Sequence, residues 1–347
     1  MGSGCMVGAI RWDAWYGDGS ASGARGTQQS LSRAGQHSRA PLHTVEDSPW
    51  RLHFAPTQAT MDAEILAARA GGLAYWAFLL YPRNGAAASQ MLGFDLYQSS
   101  SIKAQIAWAM IRQTNDWGST GAYGPQVAES ISYVSQGHYQ RVLVSRPLVY
   151  VYYTAQDIAN YWGGNIANLR AALEAFRAQV QAAGLGNPYL VVLAGSNYLS
   201  VGTALGADAV SAYIAGFPAR RHGTYAQLDS DTRAWWDTQR VSYGAVIPIC
   251  MCGWDREPRI VRPVPWETTT QRAYLGRGIG YAQPTPAELA THFQAAVSYV
   301  QGHPVECASK AILAYAWNEH DEGGWLAPTL GDPSGVRLAA IAPIIRM

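Results

Sequence analysis

The run Ala311-Ile312-Leu313-Ala314-Tyr315-Ala316-Trp317 passes without a break into Asn318-Glu319-His320-Asp321-Glu322-Gly323-Gly324. A run apolar on both faces suits a strand buried in a parallel sheet, and the acids and glycines behind it suit a loop at that strand's C-terminal end. Upstream, Thr285-Pro286-Ala287-Glu288 reads as a capping box with Pro at the first helical position, and Gly302 and Pro304 close that helix just before the strand. The same alternation recurs along the chain. Further apolar runs lie at 6–12, 73–81, 104–111, 148–153, 189–194, 209–214 and 245–252, several of them starting at Pro-marked boundaries such as Arg146-Pro147 and Asn187-Pro188. Between them, Leu169, Leu173, Phe176 and Val180 stand at helical spacing, with Gly184 as a stop. Eight strand-like runs alternating with amphipathic segments predict an α/β fold, a single (β/α)₈ TIM barrel forming one catalytic domain over residues 1–347. The other candidate, an open doubly wound sheet, usually shows a glycine-rich first turn. Gly276-Arg277-Gly278-Ile279-Gly280 neither matches that fingerprint nor directly follows a strand.

Composition narrows the partner. A formal net charge of +1 with only 14% charged residues argues against nucleic acid or an anionic membrane surface as a target. The aromatic excess lies in 13 Trp and 20 Tyr against 6 Phe, so in rings with a polar handle. Such rings stack on a sugar face and bond its hydroxyls, although they also fill large cores. Cys5, Cys250, Cys252 and Cys307 lack the spacing of a zinc or redox site and read as reduced, buried thiols. No stretch is long and apolar enough for a membrane span and no signal peptide opens the chain, so a soluble protein of undetermined compartment is expected.

Two connections are long, Gly17 to about Leu42 after the first strand and Trp254 to Pro284 after the seventh. In a barrel both overhang the C-terminal face, where active sites are built from residues just beyond the strands. Those positions hold Asp13, Trp15 and Tyr16; Tyr81 and Arg83; Asn115 and Asp116; Tyr152; Tyr213; Trp254, Asp255 and Arg256; and Asn318, Glu319, His320, Asp321 and Glu322. The set offers carboxylates, amides and aromatics, with no nucleophile elbow and no HExxH pattern. Paired carboxylates are what glycosidic cleavage requires, one to protonate the departing oxygen and one to assist at the sugar. Glu319 and Glu322 stand three apart, which on a helical turn puts them on one face with roughly 5–6 Å between Cβ atoms. Trp12, Trp15, Trp76 and Trp254 are either stacking platforms or core, and Asp13 and Asp255 either bind sugar hydroxyls or pair with Arg83, Arg256 or Arg259.

The segment Trp317-Asn318-Glu319-His320-Asp321-Glu322-Gly323-Gly324-Trp325-Leu326-Ala327-Pro328-Thr329 resembles the "WNEW(H/G)EG…EPT" segment that ends the last strand in glycoside hydrolase family 99 and its WbsX-like relatives. Shorter segments around Trp12, Trp76, Arg146-Pro147 and Trp254 follow in the matching order. The resemblance implies a barrel that cleaves α-mannoside-type linkages with retention, without a cofactor. It implies Glu319 as the base toward the sugar 2-hydroxyl, forming a 1,2-anhydro sugar, and Glu322 as the general acid/base. His320, Asp321 and Ala327 depart from the family pattern, and Tyr150-Val151-Tyr152-Tyr153-Thr154 lacks its "HIEPY"-like segment, which points to the WbsX-like group.

A glycoside hydrolase using Glu319 and Glu322, with a carbohydrate substrate, is therefore the expected function. A barrel that binds glycans after losing activity is a second reading. A third is metal-assisted hydrolysis with Asp13, Asp255, His320 and Asp321 as ligands, for which no metal-ligand spacing speaks.

Overall fold

The structure, a computed structural model, describes residues 4–17, 22–85, 87–215, 222–267 and 280–346. Eight strands form its centre: β1 (Met6–Arg11), β2 (Tyr75–Leu80), β3 (Ala107–Gln113), β4 (Arg146–Tyr152), β5 (Tyr189–Leu193), β6 (Ala209–Ser211), β7 (Ile249–Met251) and β8 (Ala311–Tyr315). They pair in parallel in the order β7-β8-β1-β2-β3-β4-β5-β6. Val210 of β6 bridges to Val246 ahead of β7, with Val210 N donating to Ala245 O at 3.1 Å and Ile247 N to Val210 O at 2.9 Å. That bridge brings the two edge strands together, so the sheet curls into a barrel.

Each of the eight expected runs overlaps one of these strands, the fourth of which starts two residues before its run, at Arg146. The third begins later than its run at 104–111, because Lys103–Gln105 winds into a 3₁₀ turn and the pairing extends instead to Gln113. Helices flank the strands: α1 (Gln58–Gly71), α2 (Leu92–Ser99), α3 (Gly124–Val134), α4 (Ile166–Ala182), α5 (Tyr198–Leu205), α6 (Tyr225–Tyr243), α7 (Pro286–Gly302) and, after β8, α8 (Val336–Ile345). In α4 the periodic Leu169, Leu173, Phe176 and Val180 are all buried, and Gly184 beyond it takes a φ of 72°. The capping box of α7 forms as its sequence predicts. Glu288 N donates to Thr285 Oγ1 at 3.2 Å while Thr285 N donates to Glu288 Oε2 at 2.9 Å.

The long connection after β1 carries the helix Ser22–Ser30, a 3₁₀ turn Ala34–Arg39 and a hairpin of Thr44–Ser48 with Arg51–Phe54. The connection after β7 starts with the helix Glu257–Val261 and returns at Gly280. Its glycine-rich Gly276–Ile279 portion lies outside the described residues. The two connections touch, since a Cβ on Gly26 would lie 2.8 Å from Pro265 and from Trp266. Cys250, Cys252 and Cys307 are buried free thiols, and Cys5 is partly buried. Among the described residues no helix is long and apolar enough to cross a membrane.

Gly8 of β1 shows how tightly neighbouring strands pack. A Cβ there would sit 2.2 Å from the ring of Tyr75, whose hydroxyl is tied to that of Tyr150 at 2.7 Å. The ring has no room to retreat, so Gly8→Ala is expected to lower stability by about 1–3 kcal/mol through overpacking. Urea titration of the variant tests this, and a change within experimental error would mean that the strand shifts freely.

Candidate active site

Beyond β8 the chain makes a compact reversal. Trp317 N donates to Ile10 O at 2.7 Å, Asn318–Glu319 pairs antiparallel with Gly324–Trp325, and His320–Glu322 forms a 3₁₀ turn between them. Gly323 closes that turn at a φ of 84°, a left-handed value that glycine adopts without strain. The local geometry is a 3₁₀ turn within a hairpin rather than the first turn of a helix. Both Glu319 and Glu322 nonetheless line one cavity of about 650 Å³. That volume lies in the range of small-molecule sites.

The cavity draws on several strand ends. Tyr81, Tyr152, Tyr213 and Arg256, all singled out from the sequence, line it with the two glutamates. Trp12, Gln90, Gln113, Arg259 and Trp266 join them. Trp12 is fixed edge-on to Trp266 with centroids 5.7 Å apart, and its Nε1 donates to Tyr81 Oη at 2.8 Å and Gln90 Oε1 at 3.0 Å. Gln90, Arg259 and Trp266 stand far from any strand end in sequence. Gln90 lies on the turn before α2, and Arg259 and Trp266 on the long connection after β7, and only that placement brings them here.

The other candidate residues stand elsewhere. Asp13 is buried, accepts from Arg11 Nε at 2.9 Å and from Asn318 Nδ2 at 3.0 Å, and is pushed up to about 6 by burial against the pull of Arg11. Asn318 in turn accepts from Trp12 N at 2.9 Å through its side chain, while its carbonyl accepts from Trp15 Nε1 at 3.0 Å. Asp13, Trp15 and Asn318 thus fasten the end of β8 to the end of β1. Tyr16 donates to Glu64 at 2.6 Å, and with Trp15, Asn318 and His320 it lines a separate cavity of about 240 Å³. His320 is fully buried against Trp15 and Trp325, and burial lowers it to about 3, so it is neutral. Arg83 pairs with Asp95 at 2.6 Å and, with Asn115 and Asp116, borders a third cavity, where Asp116 is held by Arg112 at 2.7 Å. Asp255 pairs with Arg39, and buried Trp254 packs against Tyr315 at 5.9 Å. The four residues considered as metal ligands do not converge. Asp13, Asp255 and Asp321 each engage a different arginine, and among the described residues no group of three His, Cys, Asp or Glu side chains could hold an ion.

Around the glutamates, charge is tightly organised. Arg259 donates through Nε and Nη2 to Asp321 at 2.7 and 3.1 Å, and through Nη1 to Glu322 and, at 3.4 Å, to Glu267. Ser30 Oγ adds a bond to Asp321 at 3.0 Å. Arg256 pairs with Glu267 and reaches Glu322 Oε1 at 3.2 Å, while Tyr315 Oη donates to Glu322 Oε2. Among the described residues the Glu319 side chain accepts only from Tyr213 Oη, at 2.5 Å, and its Oε2 has no partner. The two carboxyl groups are accordingly driven apart. Burial, reinforced by the charge of Glu322, raises Glu319 well above the usual carboxylate range. Burial also works against the Glu322 anion, but Arg256, Arg259 and the Tyr315 hydroxyl outweigh it and hold Glu322 below that range. Two carboxyls in one cavity with opposed protonation form the pattern that acid-assisted bond cleavage uses.

No family model and no curated protein matches the chain. Among solved structures it is similar to that of the GH99 endo-alpha-mannosidase from Bacteroides thetaiotaomicron, with a TM-score of 0.55 and 13% identity over 98% of this chain and 97% of that one. A structure of the same enzyme in complex with BIS-TRIS-propane gives a TM-score of 0.54 and 14% identity, covering 97% and 96%. The likeness is one of fold, end to end, and agrees with the barrel order of the strands.

Proposed function

We propose that the protein is a glycoside hydrolase in which one barrel, spanning the chain, cleaves an O-glycosidic bond of an oligo- or polysaccharide with Glu319 and Glu322. The observation that carries this reading is the pair itself, two buried carboxyls lining one cavity, one held charged by arginines and the other kept from charging. Trp12, Tyr81, Tyr152, Tyr213 and Trp266 around it offer flat apolar faces with polar edges, which suits an uncharged pyranose. The shared fold with an endo-alpha-mannosidase favours an α-manno-configured glycan as substrate. No cofactor enters this chemistry.

The test is release of reducing sugar from a panel of α-mannosides, aryl mannosides and mannose-containing polysaccharides, by the wild type and by the double variant Glu319→Gln/Glu322→Gln. Turnover by the wild type that falls at least about 10²-fold in the double variant is the expected result, since glutamine keeps the shape and removes proton transfer. Equal turnover by both proteins would refute the pair as the catalytic machinery. Saturable glycan binding by both, without turnover, would make the barrel a carbohydrate-binding module instead.

A further inference from the structure

The arginines of the candidate active site are matched by acids, since Arg256 and Arg259 face Asp321, Glu267 and Glu322. Positive charge without such matching lies next to it. A groove of about 1030 Å³ is bounded by the helix Ser22–Ser30, the hairpin of Thr44–Ser48 with Arg51–Phe54, and the connection after β7. Among the described residues its charged walls are Arg25, Arg51 and Arg262 against Asp47, with His53 beside them. Asp47 is already engaged, by His53 Nδ1 at 2.8 Å and by Arg51 Nε at 3.3 Å. Arg51 nevertheless stays 77% exposed. Arg262 meets no carboxylate among the described residues. Its Nη1 donates to Trp50 O at 3.5 Å, and its guanidinium lies 5.5 Å from the centre of the Trp50 ring, which is 59% exposed.

These residue types select for one kind of ligand. A guanidinium offers parallel N–H donors that fit the oxygens of a carboxylate or a phosphate ester, and an exposed indole offers a flat apolar surface to a sugar ring. The net charge of +1 supplies no bulk attraction for a polyanion, so any preference for one must come from a local set such as this. Nucleic acid would call for a longer basic track than three arginines.

The groove adjoins the candidate active site across a thin partition. Ser30 of the helix Ser22–Ser30 bonds Asp321, and Gly26 packs on Trp266, which lines the cavity of the two glutamates. Arg25 of the same helix lines the groove. Along the connection after β7, Arg262 of the groove and Trp266 of the cavity stand four residues apart, which is at most about 14 Å of chain. A glycan that leaves the cavity over the partly exposed Trp266 therefore meets Arg262 and Trp50 next.

We propose that the groove binds an anionic sugar residue of the same polysaccharide whose uncharged residue enters the cavity, so that the substrate is an acidic heteropolysaccharide. As a statement about substrate this rests on the glycosidase reading. As a statement about binding it does not.

The test is calorimetric titration of the Glu319→Gln/Glu322→Gln protein, which binds without cleaving, with polymannuronate, a phosphate-bearing mannan and a neutral mannan. At low salt at least one acidic polymer is expected to bind about tenfold or more tightly than neutral mannan, at up to about fivefold for each exposed ion pair, and added salt should shrink the difference. Which of the two acidic polymers binds more tightly tells carboxylate from phosphate ester as the recognised group. Adding Arg51→Gln and Arg262→Gln should abolish the preference. Arg51→Glu alone, at a site too exposed for the change to unfold the protein, should weaken binding of the acidic polymer and leave that of neutral mannan as it was. No preference for either acidic polymer, or a preference that survives both sets of arginine changes, would overturn the proposal. A DNA oligonucleotide bound as tightly as the acidic glycan would also overturn it, by making the groove a general polyanion site. Turnover is read separately on the wild type. A preference for the acidic polymer without turnover of any glycan would sink the glycosidase reading and leave the groove as a binding site.

Discussion

Arg259→Met lowers the free energy of unfolding by about 3–5 kcal/mol, the expected cost of removing one partner from a buried ion cluster. The Arg259 side chain is 2% exposed and bonds Asp321 twice, Glu322 and Glu267. Its guanidinium also lies over Trp12 and Trp266, 5.3 and 5.6 Å from the ring centres. Methionine fills a similar volume without the charge, so the loss reads electrostatics rather than a cavity. Among the described residues Asp321 would keep only the Ser30 hydroxyl, Glu267 only Arg256, and Glu322 Arg256 and the Tyr315 hydroxyl. Arg83→Met is the control. Its pair with Asp95 is about half exposed on both sides, and such pairs contribute up to about 1 kcal/mol. Urea titrations of the two variants side by side decide the matter. Equal, small losses would mean that the buried acids of the cluster take up protons and carry no charge. The same Arg259→Met protein should also lose turnover, because Glu322 depends on that guanidinium to stay ionised.

That cluster shows where sequence reasoning stops. The eight strands were legible because a buried parallel strand must be apolar on both faces, and the capping box of α7 was legible because it uses residues three apart. Glu319 and Glu322 share a cavity for a similar local reason, three positions apart in a tight turn. Long-range pairing leaves no such trace. Nothing in the order of residues tells that Arg259 reaches Asp321, that Arg11 and Arg39 take Asp13 and Asp255, or that Tyr315, inside the last strand, bonds Glu322. Trp266 could be found only through the packing of the long connections on one another, and Gln90 only through the turn before α2. Strand-end position gave the cavity several of its walls, Tyr81, Tyr152, Tyr213 and Arg256, while the same rule also drew in Trp15, Asp13 and Asn318, which tie β1 to β8. A strand end therefore locates a residue near the site, and its hydrogen-bond partners determine whether it faces the cavity or the scaffold.

The turn that aims Glu322 depends on two glycines packed backbone to backbone, which makes Gly253→Ala the second large effect. Gly253 follows β7 with a φ of 140°, and a Cβ there would sit 2.2 Å from the carbonyl oxygen of Gly323. Two residues further on, Asp255 N donates to Glu322 O at 2.8 Å, so the connection after β7 holds the turn of Glu322 directly through its backbone. The obstructing atom belongs to the main chain, and no rotamer change relieves it. Positive φ costs an L-residue about 1–2 kcal/mol, and overpacking against a fixed neighbour adds about 1–3 kcal/mol. If the turn gives way instead, Glu322 moves relative to Glu319, Arg256 and the sugar. A displacement near 1 Å costs roughly 10²-fold in rate, because the reacting groups leave their alignment. The variant is therefore expected to be less stable by roughly 2–5 kcal/mol, or to retain its fold with kcat reduced by about 10²-fold. Chemical denaturation and steady-state kinetics on one preparation distinguish these two responses. Wild-type stability together with wild-type kcat would show that the contact between the two connections does not position the glutamate.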